Sequence, residues 1–509
     1  MQLQQLLQQT DISLLPSQEN IEIKNIITDS RKVQPGDLFI AYEGIDIDSH
    51  QYIDDVLAKG AELIIGTQDL ENKYGEKYIR TQNSRRTLSL ISANWFGNPS
   101  QNLKIIGITG TDGKTTTSNM VYQILLAANK KVTLLTTINS PGLHVTTPDS
   151  LTLQGILRDF VNQGYEWVIL ETSSHSLAYN NVYGIHYTIS GLTNITLEHL
   201  DFHKTFENYV HAKSKLFLQS KISILPNDEI GKQIGDFITQ FDENPSMLFH
   251  DGQTDNENFA QNISISKKHE ISFYDKNNFP TDVELNIPGE HNILNASLAA
   301  EICRKIGITE PEIKSGLENV KDLSGRWEIV YDKKFYVIID HAHTPNSIEA
   351  VLKSAQEFMK YKILSGRLIH IFGAAGERDH FKREEMGRVS AKYADKTILT
   401  CEDPRSEKIH EINIPIRKGL EENGSFFYDL ILHSQEDDMF NKIQADQYKK
   451  YFEIPWRGSA ISFAVGKLAH DGDLILITGK GHETSMAFGK VEYLWTDQEA
   501  VRENLKCKV

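Results

Sequence analysis

The feature that most limits how this chain can fold is a series of short apolar runs, each closed by a turn and followed by a helical stretch. "KIIGITG", from Lys104, leads into a helix through Ala128; "KVTLLTT" follows, then a helix from Pro148, then "WVILETSSHS". Buried strands alternating with helices in this way require a parallel sheet with helices on both faces. A second series starts near Arg326 with "FYVIID", "LIHIFGA", "KTILTCED" and "DLILITGKG". Before residue 103, shorter runs such as "GDLFIAY" and "AELIIG" stand between turn residues. The expected fold class is α/β with three domains: a mixed α/β domain over 1–102, a central parallel-sheet domain over 103–325 and a second α/β domain over 326–509. The polar stretch from Glu243 to Thr281 reads as loops and edge strands, and "IPGEHNILNASLAAEICRKIG" as a helix. Residues 430–454, rich in Gln, Asp and Lys, read as an inserted surface segment.

Composition narrows what such a chain can do. With 509 residues, 39% of them hydrophobic, several cores can form, and the length fits roughly three domains. A net charge of −16 argues against a nucleic-acid or anionic-membrane surface as the main partner, while leaving room for anionic substrates held by local Lys and Arg. Cys303, Cys401 and Cys507 are far apart and show no CxxC spacing, so neither a disulfide framework nor a zinc site is expected, and the default is a reducing compartment. "MQLQQLLQQTDISLL" reads as a short amphipathic helix and not as a signal peptide, and no apolar run approaches the ~20 residues of a membrane span. The expectation is a soluble, cytoplasmic, monomeric protein with small-molecule partners.

The stretch "GITGTDGKTTT" carries the first chemistry. A Gly-rich turn lets backbone N–H groups converge on an anion, the following helix offers its positive end, Lys114 neutralises charge, and a Thr hydroxyl can hold Mg²⁺. The Walker A pattern is not met, because Ile108 stands where its first Gly would be. Further polar groups follow strand ends, where open α/β sheets bind ligands. "LETSSH" places Glu171, Ser173, Ser174 and His175 there, and "LTNITLEHLDFH" adds His199 and His203 before Lys213 in "AKSKLF". Singly, each has an ordinary reading: a helix cap, a solvated acid, a structural His. Their occurrence together, in this order, is not accidental.

These segments resemble the ATP-dependent Mur ligases of peptidoglycan synthesis, whose phosphate loop is TGT(N/D)GKTT. The resemblance implies a P-loop ATPase-like central sheet, a Rossmann-like C-terminal domain, and ATP and Mg²⁺ as cofactors. It implies that Gly110, Thr111, Asp112, Gly113, Lys114, Thr115 and Thr116 bind ATP phosphates, with Lys114 at the β/γ end and Thr115 on Mg²⁺. Glu171 and His199 would hold metal, and Lys213 would be a carbamylated lysine, since a plain ammonium repels Mg²⁺ while a carbamate supplies hard oxygens. Lys114, Lys213, Glu171 and His199 form the implied catalytic set. Asn292 and Asn295 in "GEHNILN" match the adenine-side motif, and Arg326 in "GRWE" with Asp340, His341 and His343 in "IDHAHTP" match domain-junction nucleotide contacts. The family usually has Tyr at the position of His341.

The remaining motifs resemble the members that add the third residue of the stem peptide. "TDSRKVQPGDLFIAYEG" is similar to their uridine-binding domain, with Ser30 a nucleotide-sugar contact; Thr146, Thr147 and Ser173 match further contacts to UDP-N-acetylmuramoyl-L-alanyl-D-glutamate. "GAAGERDHFKREEMG", "EDPRSE" and "ITGKGHE" resemble the GxGGDRDxxKRxxMG, DNPR(x)E and GKGHE signatures. They imply an amino-acid site of Arg378, Glu402, Asp403, Pro404, Arg405, Gly479 and Glu483. Arg405 would read the distal carboxylate of meso-diaminopimelate; L-lysine, which lacks it, is the alternative. Two departures stand out. Tyr179 and Asn181 occupy positions where the family has Gln and Arg contacting the nucleotide sugar, which predicts weaker substrate binding or a substitute cation such as Lys204 or Lys215.

The implied reaction phosphorylates the D-glutamate γ-carboxylate from ATP, and the amine of the amino acid then displaces phosphate. Closure of the C-terminal domain would bring Arg378 and Arg405 to the amino acid and exclude water. Two rival readings are a folylpolyglutamate synthase-like ligase, which would need neither the uridine domain nor the "KGHE" ending, and a non-catalytic nucleotide-binding relative, which would have no need of an intact metal set.

Overall fold

Three sheets organise the computed structural model, which describes residues 1–44, 47–138, 146–243, 269–321, 323–428 and 449–506. Near the N-terminus, β1 (Ile26–Ile27), β2 (Leu38–Ile40), β3 (Leu63–Gly66) and β4 (Tyr78–Arg80) lie in that order, all parallel. The central sheet holds β5 (Lys104–Thr109), β6 (Val132–Leu135), β7 (Trp167–Glu171), β8 (Tyr187–Leu192), β9 (Ser220–Pro226) and β10 (Glu270–Tyr274), in the order β10-β9-β8-β5-β7-β6. Every pairing in it is parallel.

The third sheet contains β11 (Glu328–Asp332), β12 (Tyr336–Ile339), β13 (Leu368–Phe372), β14 (Lys396–Leu399), β15 (Phe426–Phe427), β16 (Lys450–Glu453) and β17 (Leu474–Ile477). Its order is β11-β12-β17-β13-β14-β16-β15, with β11 antiparallel and the rest parallel. A hairpin of β18 (Ser485–Phe488) and β19 (Val491–Leu494) follows.

Each sheet is buried on both faces, which is why its strands read as continuous apolar runs. On β5, Ile106 and Ile108 enter one core while Ile105 enters the opposite one. On β12 and β17, Ile338, Leu474 and Leu476 face one way, and Val337, Ile339, Ile475 and Ile477 the other. The same alternation splits Leu38 and Ile40 from Phe39 in the N-terminal sheet.

The helices fall where the periodicity predicts, with small shifts. The helix after β5 runs Lys114–Ala127 and that in "GEHNILN…" runs Glu290–Lys305. The helix expected from Pro148 begins at Ser150, because Asp149 caps it by accepting from the Thr152 N–H.

One expectation needs correction. Within the supposed surface insert at 430–454, Lys450–Glu453 is a strand inside the third sheet, with Tyr451 and Phe452 buried. The flanking lysines made a short buried strand read as surface. Residues 429–448 lie outside the described residues, as does most of the polar stretch after Glu243; its described end holds β10, an edge strand as expected.

No helix among the described residues is long and apolar enough to cross a membrane.

Candidate active site

The C-terminal ends of β5, β7 and β8 converge on the Gly-rich turn. Gly110 (φ +149°) and Gly113 (φ +82°) take left-handed conformations, and a Cβ at either would strike Thr193 or Asn295. The turn is clamped from the end of β8: Thr111 N–H donates to the Asn194 carbonyl (2.8 Å), Asp112 N–H to Asn194 Oδ1 (3.1 Å), and Thr193 Oγ1 to the Asp112 carbonyl (2.6 Å). Lys114 Nζ folds back onto the carbonyls of Gly110 (3.1 Å) and Thr111 (2.8 Å). The result is a rigid loop with a cation on a flexible stem at its mouth and a 14-residue helix behind it.

Glu171, 2% exposed at the end of β7, meets this loop directly. Thr115 Oγ1 donates to Glu171 Oε2 (3.0 Å), and Thr137 Oγ1 to Oε1 (3.3 Å). Thr147 Oγ1 donates to the Glu171 carbonyl (3.0 Å) and accepts from the Ser173 N–H (3.0 Å), while Thr137 Oγ1 reaches Thr146 Oγ1 (3.1 Å). The expected substrate-binding residues Thr146, Thr147 and Ser173 therefore form one hydroxyl network with the carboxylate.

Lys213 is 1% exposed, donates from Nζ to the Gly110 carbonyl (2.7 Å), and lies 4.6 Å from the Tyr209 ring centre. Burial, reinforced by the charge of Lys114, holds its ammonium far below the usual lysine range. Burial likewise drives His199 down strongly, helped by His175 and Lys213. His199, at φ +58°, stands edge-on to His175 at 4.8 Å between ring centres. His203 donates to or accepts from Ser174 Oγ (3.0 Å) and is held down to about 4 by burial.

Among the described residues no three His, Cys, Asp or Glu side chains cluster as a metal site. The expected set has a different make-up. A hydroxyl and a carboxylate oxygen 3.0 Å apart, with a neutral imidazole and a neutral amine beside them, suit a hard divalent cation once that amine becomes a carbamate.

A C-terminal lobe covers this face. Thr344 Oγ1 donates to Asp112 Oδ2 (3.1 Å), Arg326 Nη2 lies 3.5 Å from Thr115 Oγ1, and Lys382 pairs with Glu198 (2.9 Å) at 10% and 5% side-chain exposure. Asp112, Thr115 and Arg326 were expected at the nucleotide, but their cross-lobe contacts, and the Lys382–Glu198 pair, had no local sequence signal. Two cavities result, sharing Asp112, Gly113, Arg326 and His341.

The first, about 460 Å³, brings together Thr116, Asn292, Asn295, Arg326 and Asp340 with the loop. Asn295 Nδ2 donates to Asn292 Oδ1 (3.2 Å). Asp340 accepts the N–H groups of Trp327 (2.7 Å) and Ala342 (2.8 Å). His341, driven well below the usual histidine range by burial, reaches the Lys480 carbonyl (3.3 Å).

The second, about 550 Å³, runs from the loop past Glu171, Ser173, His199 and Lys213 to Arg378, Glu402, Asp403, Arg405 and Glu483. Pro404 and Gly479 support this corner without lining it, and Ser30 stands apart on the N-terminal sheet's side.

The charged corner is built from three strand ends. Arg405, at φ +49°, donates from Nη1 to the Gly376 carbonyl (2.6 Å) and bridges to Phe488. Lys480, 1% exposed, pairs with Asp403 (2.7 Å) and with Glu483. Glu402 Oε2 is buried without a hydrogen-bond partner, 2.7 Å from where a Cβ on Gly479 would sit, and burial pushes its carboxyl up to about 7. Behind the corner, Arg457 and Asp497 form a fully buried pair (2.6 Å), and Arg457 also donates to the carbonyls of Cys401 (3.3 Å) and Thr478 (2.8 Å). That brace had no local sequence signal, because Arg457 and Asp497 are 40 residues apart.

Fold and site together define a three-lobed α/β protein with a phosphate-cradle loop facing a charged corner on a second lobe. Known families agree in chain order: the Mur ligase family catalytic domain matches residues 22–95, the Mur ligase middle domain 108–303, and the Mur ligase glutamate ligase domain 325–481. The UDP-N-acetylmuramoyl-L-alanyl-D-glutamate–2,6-diaminopimelate ligase of Clostridium botulinum is 36% identical over 504 residues, 95% of each chain. The enzyme numbered 1 of that name in Clostridium acetobutylicum is 34% identical over 516 residues, 99% of each. A solved structure of a ligase of the same name superposes with a TM-score of 0.59 at 23% identity, covering 100% of this chain and 99% of that one. The Thermotoga maritima MurF ligase in complex with ADP gives 0.56 at 17%, covering 96% and 100%. This chain belongs to the Mur ligase family.

Proposed function

We propose that this chain is an ATP-dependent amide ligase that joins meso-diaminopimelate to UDP-N-acetylmuramoyl-L-alanyl-D-glutamate, the third-residue step of peptidoglycan precursor synthesis. The observation that carries this reading is the continuity of the two cavities: a phosphate loop at one end, an Arg- and Glu-lined corner from another lobe at the other. Relatives named for that activity and matched over 95–99% of each chain support it. On this reading residues 1–102 hold the uridine end, 103–325 hold ATP, and 326–509 hold the amino acid.

Each residue has a chemical task. A carboxylate is a poor electrophile, and phosphorylating it brings two anions together; Lys114 and the loop N–H groups screen that repulsion. Thr115, Glu171, His199 and a carbamylated Lys213 would hold Mg²⁺, which adds charge neutralisation when bound. The depressed Lys213 suits carbamylation, because only a neutral amine attacks CO₂. Asn292, Asn295, Arg326 and Asp340 suit the nucleoside end of ATP. Arg405 and Arg378 offer planar forks to carboxylates, and Glu402 and Glu483 offer oxygens to an ammonium. Burial under the C-terminal lobe keeps water from the acyl phosphate.

The test is phosphate release measured over a panel of amino acids. Release that requires both the UDP-linked dipeptide and diaminopimelate supports the reading; a preference for L-lysine keeps the reaction and changes the acceptor. Release with a folate-linked glutamate, or none with any pair, overturns it.

A further inference from the structure

The cleft wall bearing Thr147, Ser173, His175, Tyr179 and Asn181 offers hydroxyls and an amide but no cation. Lys204 and Lys215 do not fill the gap: Lys204 Nζ donates to the Asp201 carbonyl (2.6 Å), and neither lines the cleft. A substrate carrying a diphosphate still needs a positive partner on this side.

Arg85 does not line the cleft either, but it stands directly against this wall, on the ring of Tyr179, which does. It lies in the first turn of the helix Ser84–Trp95, so the positive helix end adds to its charge. Its guanidinium carbon is 4.2 Å from the Tyr42 ring centre and 4.3 Å from that of Tyr179. Tyr42 follows β2 of the N-terminal sheet, and Tyr179 ends the helix Ser174–Ala178 of the central lobe. The guanidinium is thus held against one ring from each of two lobes, which leaves its N–H edge to meet polar groups. Among the described residues that edge makes one hydrogen bond, from Nη2 to the Glu43 carbonyl (3.2 Å), and meets no carboxylate. In a chain with 69 acidic and 53 basic residues, an oriented guanidinium that meets no acid among the described residues is a seat for an anion.

We propose that Arg85, held flat by Tyr42 and Tyr179, binds the diphosphate of the nucleotide-sugar substrate at the seam between the first two lobes. This rests on the function proposed above for the identity of the substrate. The Tyr at position 179 then has a purpose: it orients an arginine that reaches in from another lobe.

Calorimetric titration of the full chain with UDP and with uridine, in excess ADP to fill the phosphate loop, tests this without turnover. Wild type should bind UDP more tightly than uridine. Arg85→Gln should lose ~10- to 100-fold in UDP affinity and nothing in uridine affinity, with Arg85→Lys between. In steady state the KM for the UDP-linked dipeptide should rise by the same factor, while the KM values for ATP and the amino acid stay within about twofold. Equal UDP affinity in wild type and Arg85→Gln overturns the proposal. So does a parallel loss for UDP and uridine with a lowered melting temperature, which marks a purely structural clamp. Absence of ligase turnover with UDP selectivity still tracking Arg85 would sink the proposed function and leave this site standing.

Discussion

The phosphate loop and the charged corner solve opposite problems. Residues 110–116 are contiguous, Asn194 accepts two of their N–H groups while Thr193 donates to the Asp112 carbonyl, and Lys114 carries their positive charge. The corner is assembled from the ends of β13, β14 and β17 and balances Arg378, Arg405 and Lys480 against Glu402, Asp403 and Glu483. A phosphate presents the same oxygens every time, so a fixed cradle suffices. Choosing among amino acids requires a balance of opposite charges, and burial sets that balance more than any single residue does.

If that contrast is right, damage to the loop is total and damage to the corner is selective. The largest effect should come from Lys114→Ala, which should lower kcat on the order of 10³-fold or more with little change in melting temperature, since Lys114 is half-buried and its ammonium meets only two loop carbonyls. Phosphate release near the wild-type rate would break the comparison.

Lys213→Ala should follow, with a loss on the order of 10²–10³-fold, partly restored by short carboxylates that replace a carbamate. Mass spectrometry or a high-resolution map showing a plain amine at Lys213 in the active enzyme would remove the carbamate from the account.

Arg405→Ala sharpens the contrast. Removing a charge-assisted, bidentate guanidinium–carboxylate pair from a closed cleft costs about 3 kcal/mol, on the order of 10²-fold in kcat/KM for diaminopimelate. The KM for ATP should hardly move, and lysine, lacking the distal carboxylate, should be used as well as before. A wild-type preference for lysine that the substitution leaves alone would show that Arg405 does not read the amino acid.

The smallest effect concerns the C-terminal core behind the corner. His370 is fully buried between Ser390 Oγ (2.9 Å) and Thr478 Oγ1 (3.0 Å), and burial, with Arg457 nearby, holds it down to about 3. Unfolding raises its affinity for protons, so its contribution is complete above the unfolded value near 6.5 and is lost as pH falls from there toward 3. At pH 5.5 the loss is about 1.4 kcal/mol, or roughly 3 °C in melting temperature for a lobe of this size. His370→Gln, which keeps hydrogen bonding without titrating, should flatten that slope; an unchanged slope would assign acid sensitivity elsewhere.

The central parallel sheet and the strands of the C-terminal lobe were legible because strands apolar on both faces leave a pattern that needs no partner to be recognised. Tyr451 and Phe452 were not: a four-residue strand that opens on a pair of lysines looks like surface until β14 and β15 close on it.

The sequence alone determined the phosphate loop, since its glycines, Lys114 and the helix start act through backbone geometry within a few residues. It also marked Glu171 and His199, because side chains at strand ends of a parallel sheet share one edge, while Lys213, on the helix Phe206–Leu218, was marked only by its resemblance to the family motif. Only the tertiary structure decided what lies across the cleft. Arg85 between Tyr42 and Tyr179, Thr344 on Asp112, Lys382 on Glu198, and Arg457 bracing two loops join segments up to 232 residues apart. Such pairings depend on how lobes dock, and docking is set by the summed shape and charge of whole surfaces, which no local spacing encodes.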